Sequence, residues 1–167
     1  TRTDLPVVSV CIANYNGRKV LAECLESVLA QRFAGTLEVI VHDDASTDGS
    51  EEMARAYPEA ILISSVQNVG YCISNNRMVT TATGDYVLLL NNDAVLLPGA
   101  LQTLLTTAQG APDTGICSLP QYDYATAPLL DCGKTQDPVQ NPGPVTPSTG
   151  ATPGIAISRG LSTQSAY

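Results

Sequence analysis

The 167 residues are 44% apolar and 14% charged, the composition of one globular domain and not of a disordered or fibrous chain. Eight basic residues stand against sixteen acidic ones, and a net charge of −8 excludes indiscriminate binding to nucleic acid, which needs clustered Lys and Arg. No apolar run approaches the roughly 18 residues of a transmembrane segment and Thr1-Arg2-Thr3-Asp4 is no signal peptide, so a membrane span is not expected. Five scattered cysteines (Cys11, Cys24, Cys72, Cys117, Cys132), odd in number and without a C-x-x-C pair, read as reduced core thiols.

Along the chain, Val7–Ile12 is short, β-branched and preceded by Pro6, a first strand. Leu21, Leu25, Val28 and Leu29 make one apolar stripe of a helix over about 18–31. Glu38–Val41 is a second strand ending at Asp43. Asp48-Gly49-Ser50-Glu51 is a cap opening a helix that reaches Tyr57, where Pro58 stops it. Ala60–Ile63 is a third strand, and residues 72–83 form a helix closed by Gly84. Tyr86–Leu90 is a fourth strand, after which Pro98 opens a helix from a first-turn position with Leu101, Leu104 and Leu105 inward. The near-continuous apolar strands predict burial on both faces of a sheet. Their alternation with helices predicts an α/β fold, a three-layer sandwich around a mainly parallel sheet with right-handed crossovers.

Only Pro6, Pro58 and Pro98 fall before about residue 110, and the other eight prolines follow it. The expected division is therefore an α/β domain over 1–110 and a Pro/Gly-rich segment over 111–167, with 133–167 extended and poorly packed.

Ligands of parallel sheets bind beyond the carboxyl ends of the strands. Four polar clusters stand there: Ala13-Asn14-Tyr15-Asn16-Gly17, Asp43 to Asp48, Gln67-Asn68-Val69-Gly70-Tyr71, and Asn91-Asn92-Asp93. Asp43 and Asp44 can accept from a base N–H or ribose hydroxyls or hold a cation, with Asp44 favoured for the base, or else one of them shapes the Ser46–Asp48 turn. Tyr15 offers a ring for stacking on a base, or else packs on its own loop. Asn68 and Gly70 lead into a helix N-terminus that suits anionic oxygens. Asp93 is a lone carboxylate, enough for Mg²⁺ or Mn²⁺ when a diphosphate supplies further oxygens, while Asn91 and Asn92 supply neutral oxygens or donors. The lone histidine, His42, reads as a strand residue, packed or half-exposed, and not as a catalyst. P-loop, G-x-G-x-x-G and G-x-S-x-G patterns are absent, which removes the main support for ATPase, dinucleotide-binding and α/β-hydrolase readings.

Four segments together carry a family resemblance. Val8–Asn16, Val41–Ser50 (V-H-D-D-A-S-T-D-G-S), Asn68-Val69-Gly70-Tyr71 with Asn75-Asn76, and Gly84–Asp93 resemble, in order, the motifs of family 2 inverting glycosyltransferases with the GT-A, Rossmann-like fold. Within that family they look most like the rhamnosyltransferase-like branch, and the likeness covers about residues 7–108. It implies a nucleotide-diphosphate-sugar site with Ala13, Asn14, Tyr15, Asp43, Asp44, Asn68, Gly70, Asn76, Asn91 and Asn92 around the donor and Asp93 on the metal. It further implies sugar transfer with inversion to a glycan, polysaccharide or lipid-linked acceptor, in the cytoplasm or at the inner membrane face. Two departures stand out. Asn91-Asn92-Asp93 replaces the usual D-x-D, and the acids beyond it (Asp113, Asp123, Asp131, Asp137) form no E-D motif that could supply a general base. The chain therefore reads as the donor-binding half of a longer enzyme. The rivals are a non-catalytic nucleotide-sugar-binding remnant, a receiver-type phosphoacceptor and a nucleotidyltransferase. The receiver is disfavoured because its acidic pair follows the first strand, and the nucleotidyltransferase because its first loop is richer in Gly.

Overall fold

A computed structural model describes residues 5–111, 115–123, 129–131, 135–136 and 156–158. Among these described residues, ten strands and four helices follow in the order β1 (Val7–Asn14), α1 (Leu21–Leu29), β2 (Thr36–Asp43), α2 (Ser50–Arg55), β3 (Ala60–Ser64), α3 (Tyr71–Thr81), β4 (Tyr86–Asn91), β5 (Ala94–Leu96), α4 (Ala100–Gly110), β6 (Ile116–Cys117), β7 (Gln121–Asp123), β8 (Leu129–Asp131), β9 (Thr135–Gln136) and β10 (Ala156–Ser158). They fall into two compact units. One comprises the chain to Leu29 together with Phe33–Ala94, and the other Ala30–Arg32 together with the chain from Val95.

The first unit is built on a parallel sheet of order β3-β2-β1-β4. Strand alternation sends Cys11 and Ile40 to one face, where they are buried with Met78 of α3 and packed against by Ala13, Ile63 and Ala82. Val10, Ile12, Val39 and Val41 point to the opposite face and are buried as completely. Helix α1 adds Leu21, Cys24, Leu25 and Val28 to the buried interior. At nine residues α1 is shorter than the roughly 12–15 that hold an isolated helix. Burial of its apolar stripe, worth about 1.5–3 kcal/mol for each large side chain, is what maintains it. The expected α/β architecture, helices flanking a mainly parallel sheet, is the one observed.

Several details differ from expectation. Strands β3 and β4 are the sheet edges and are not covered on both sides: Ile61, Val87 and Leu89 are each more than 40% exposed. Helix α1 begins only at Leu21, because residues 18–20 form a turn in which the Gly17 carbonyl accepts from Val20 and Leu21. Helix α2 ends at Arg55, its last turn tightening to i→i+3 bonds from Ala56 to Met53 and from Tyr57 to Ala54. Helix α3 ends before Gly84 because Thr83 donates its N–H and hydroxyl to Glu38, and Gly84 its N–H to Ser9 Oγ. That draws the chain into β4.

In the second unit Pro98 lies ahead of the helix, not inside it. Leu97 to Ala100 form a turn closed by the Ala100 N–H on the Leu97 carbonyl, with Pro98 and Gly99 at its centre. The first turn of α4 receives its cap from a distance: Gln31 Oε1 accepts the Leu101 N–H at 3.2 Å while Nε2 donates to the Leu97 carbonyl at 3.1 Å. The unit also holds a four-stranded sheet of order β5-β10-β7-β8 and the antiparallel pair β6-β9. Apart from β9 and β10, the segment 133–167 lies outside the described residues, as do Asp113, Asp137 and Cys132. Among the described residues no helix is long and apolar enough to cross a membrane.

The cysteines separate by burial. Cys11 and Cys24 are core thiols, as expected, but Cys72 is exposed and Cys117 partly so. Burial pushes the Cys11 thiol up to about 11 and the Cys24 thiol up to about 12, with the carboxylates of Glu38 and Asp93 adding in turn. In native protein at pH 8, iodoacetamide should therefore label Cys72 at least about a hundredfold faster than Cys11 or Cys24. Peptide mapping by mass spectrometry reads this directly, and comparable labelling of all three would contradict the packing.

Candidate functional site

The four strand-end clusters come together through a continuous set of hydrogen bonds, all within the first unit. Asn14, the last residue of the central strand β1, is 1% exposed. Its Nδ2 donates to Asp43 Oδ2 at 2.7 Å and to Ser50 Oγ at 3.0 Å, and its Oδ1 accepts from Asn92 Nδ2 at 2.9 Å. Asp43, fully buried, uses its other oxygen to accept the Ser46 N–H. Ser46 Oγ in turn accepts the Asn16 N–H, and Asn16 Oδ1 accepts the Thr47 N–H at 2.8 Å. The loop after β1 is thus laced to the loop after β2, leaving Tyr15 43% exposed upon it.

Asp44 reaches the third cluster. Its two oxygens accept the adjacent N–H groups of Val69 and Gly70, each at 2.8 Å, at the entry to α3. Gly70 has φ 86° and ψ 162°, a conformation essentially restricted to glycine, so the residue type and the carboxylate together set where α3 begins. The Tyr71 hydroxyl donates to Asn91 Oδ1 at 3.3 Å, which closes the set onto the fourth cluster. Between Asp44 and Ser46, Ala45 is held at φ 63°, a left-handed conformation costly for a residue with Cβ. Ala45→Gly removes that cost of about 1–2 kcal/mol and adds back unfolded-chain entropy of about 0.4–1 kcal/mol. A net stabilisation of about 0.5–1 kcal/mol is expected from urea unfolding, and a destabilised variant would deny the strain.

Asn92 and Asp93 form the turn between β4 and β5. Burial raises the Asp93 carboxyl above its ordinary value, opposed only by its own backbone N–H. Among the described residues no group of three or more His, Cys, Asp or Glu could hold a metal ion. A divalent cation fits here only if one carboxylate suffices and the ligand brings the remaining oxygens. The chemistry of the turn meets that condition, because a partly desolvated carboxylate gains from a cation. The neighbouring Cys24 thiol, pushed up by burial, faces the Asn91 carbonyl at 3.5 Å.

The other expected positions are less involved. Ala13 is partly buried and Asn68 is exposed at the edge. Asn76 is not joined to the network. It lines an open depression of about 470 Å³ with Ile63, Ile73, Arg77, Thr80 and Thr81. His42 is fully buried, and its Nε2 lies 3.3 Å from the Arg77 guanidinium, which can only donate, so the ring proton belongs on Nδ1. Burial lowers its pKa, Arg77 adds to the effect, and Asp44 and Asp43 oppose it. A packed histidine results in which the neutral form is favoured. Asn16 and Ser46 stood in the strand-end clusters and Ser50 in the motif that follows, but sequence assigned none of them a role of its own. The Asn16-Gly17 pair carried a turn signal, whereas nothing local marks a serine that bonds a residue more than thirty positions away.

The fold is that of GT-A glycosyltransferases. S. aureus TarS 1–349, solved in complex with UDP-GlcNAc, has a TM-score of 0.63 at 24% identity over 72% of this chain and 36% of that one. The mannosyltransferase PcManGT from Pyrobaculum calidifontis, in complex with GDP-Man and Mn²⁺, has a TM-score of 0.59 at 25% identity, again over 72% and 36%. Residues 9–129 match Glycosyl transferase family 2, and the chain belongs to that family. In sequence it is similar to the uncharacterized glycosyltransferase YibD of Escherichia coli, 35% identical over 104 residues that cover 60% of this chain and 30% of YibD. It spans about a third of the length of the first curated relatives it matches.

Proposed function

We propose that this chain is the donor-binding half of a glycosyltransferase. It would hold a nucleotide-diphosphate sugar with Mg²⁺ or Mn²⁺ and serve transfer of the sugar, with inversion, to a glycan, polysaccharide or lipid-linked acceptor. The observation that carries the reading is the joining of four polar strand ends into one edge, with the exposed ring of Tyr15 and the carboxylate of Asp93 both on it. Membership of the family supports it, as does the GDP-Man and Mn²⁺ complex of PcManGT. Residues 1–110 would carry donor binding and 111–167 would begin the acceptor side, in a protein of the rhamnosyltransferase-like branch working at the inner membrane face.

In this reading Tyr15 stacks on the base. Asp43 and Asp44 each keep lone pairs beyond their internal bonds for base or ribose hydrogens, although both are almost fully buried. Asn68, Gly70, Asn91 and Asn92 line the ribose and diphosphate. A bound cation supplies positive charge where the leaving nucleotide diphosphate becomes more negative. Asp93 would hold that cation, and its own desolvation would make the interaction stronger than at an exposed carboxylate. Calorimetric titration with UDP, dTDP and GDP, each with and without Mn²⁺, tests the reading. Metal-dependent binding of one of them is expected and identifies the base. A folded chain that binds none would leave a remnant without a donor site.

A further inference from the structure

The hydrogen-bond inventory of Asn14 is nearly exhausted. Both Nδ2 hydrogens are used, on Asp43 and Ser50 with a longer contact to Ser46 Oγ at 3.3 Å, and Oδ1 is occupied by Asn92. Turning the amide over would set its oxygen against the Asp43 carboxylate, so the orientation is fixed by chemistry as well as by packing. A side chain 1% exposed with no hydrogen to spare cannot be a donor to a ligand. Its partners nevertheless belong to different parts of the site: Asp43 anchors the loop after β2, and Asn92 precedes Asp93 in the turn after β4. Gly17 lies directly against this junction. A Cβ there would run into Asn14 Oδ1 and Asn92 Nδ2, so the absence of a side chain at 17 is what lets the two amides meet.

We infer that Asn14 is a positioning residue, the buried amide that holds the Asp93 turn and the Asp43 loop in one register so that nucleotide and divalent cation reinforce each other's binding. The inference rests on the nucleotide-sugar reading given above. It makes the mutual tightening of nucleotide and cation, and not the affinity for either alone, the property that Asn14 controls. By linkage the effect is reciprocal, and a coupling of the usual size is about 5–150-fold.

The test uses the full chain, with UDP, dTDP and GDP as probes and Mn²⁺ as the cation. The readout is the ratio of nucleotide dissociation constants without and with Mn²⁺, which a lower folded fraction does not change. Gly17→Ala, at a residue that is not itself a proposed ligand contact but whose Cβ presses on the Asn14–Asn92 junction, is expected to cut that ratio about tenfold, and Asn14→Ala at least as much. Because both act on one junction, the double variant should match Asn14→Ala alone. Far-UV circular dichroism establishes that each variant is folded, and Gly17→Ala keeps the test open should Asn14→Ala fail to fold. Ratios unchanged in either folded variant, or effects of the two that simply add, overturn the inference. A wild-type chain that binds nucleotide with no tightening by Mn²⁺ overturns it while leaving nucleotide binding in place. A wild-type chain that binds no nucleotide overturns the underlying reading, and the inference with it.

Discussion

Asp44→Asn is expected to lower stability by about 2–3 kcal/mol, although it changes one atom of an almost isosteric side chain. Each Asp44 oxygen accepts one N–H, from Val69 and from Gly70. An asparagine must turn its NH₂ toward one of those donors, leaving two hydrogens facing each other in a nearly buried place. The remaining bond also weakens, because it is no longer made to a charge. Asp44→Ala, which removes both acceptors, should cost about 3–5 kcal/mol. At about 2–4 °C per kcal/mol for a chain of this length, thermal unfolding would detect either loss. A cost under about 0.5 kcal/mol for Asp44→Asn would show that the α3 entry is not held by this carboxylate.

Asp93→Ala should produce the largest functional change, reducing the Mn²⁺-dependent tightening of nucleotide binding by at least about tenfold in calorimetric titration. Undiminished tightening would remove Asp93 from the cation site. Its pH dependence has a defined sign. Burial raises the Asp93 carboxyl in the folded chain, so the metal-free folded state binds this proton more tightly than the unfolded state does. The associated stability is fully present below the ordinary carboxylate value and is lost as pH rises through the raised folded value. Asp93→Asn should therefore stabilise the metal-free protein at neutral pH. Cation binding competes with the same proton, so the tightening by Mn²⁺ should begin to fail on acidification before an ordinary carboxylate would protonate. A titration flat down to the ordinary carboxylate range would contradict that burial.

Much of the first unit was legible because its signals are local. Short β-branched runs such as Val39-Ile40-Val41 read as strands, and the polar residues directly after each run had to gather at one edge once the strands were parallel. What local patterns could not express was who bonds whom. Asp43 and Asp44 looked alike in sequence, yet one faces Asn14 and Ser46 and the other the entry to α3. Asn14 read as one more polar residue near a ligand. Its engagement depends on partners 29 and 78 positions away. The exposed faces of β3 and β4 were equally hidden, since an apolar run does not reveal whether its strand lies at the centre or the edge. Helix ends moved for a similar reason: Thr83 and Gly84 leave α3 because Glu38 and Ser9 hold them, not because of any signal of their own.

The central place of β1 also bears on how the chain reaches this state. It is made before the other strands of its sheet, yet one of its neighbours, β4, is the last of that sheet to leave the ribosome, and Asn14 waits for Asn92 across 78 positions. Parallel pairing at such separations carries loop-closure entropy before any contact offsets it, which places refolding at the slow end for a domain of this size, in milliseconds to seconds. During synthesis the β1–β2 pair must persist with one flank of β1 open until Tyr86–Asn91 arrives. In that interval an apolar strand with unpaired backbone groups is available to other chains. Yield in expression should therefore respond to translation speed between residues 43 and 91 more than to changes at the mature surface.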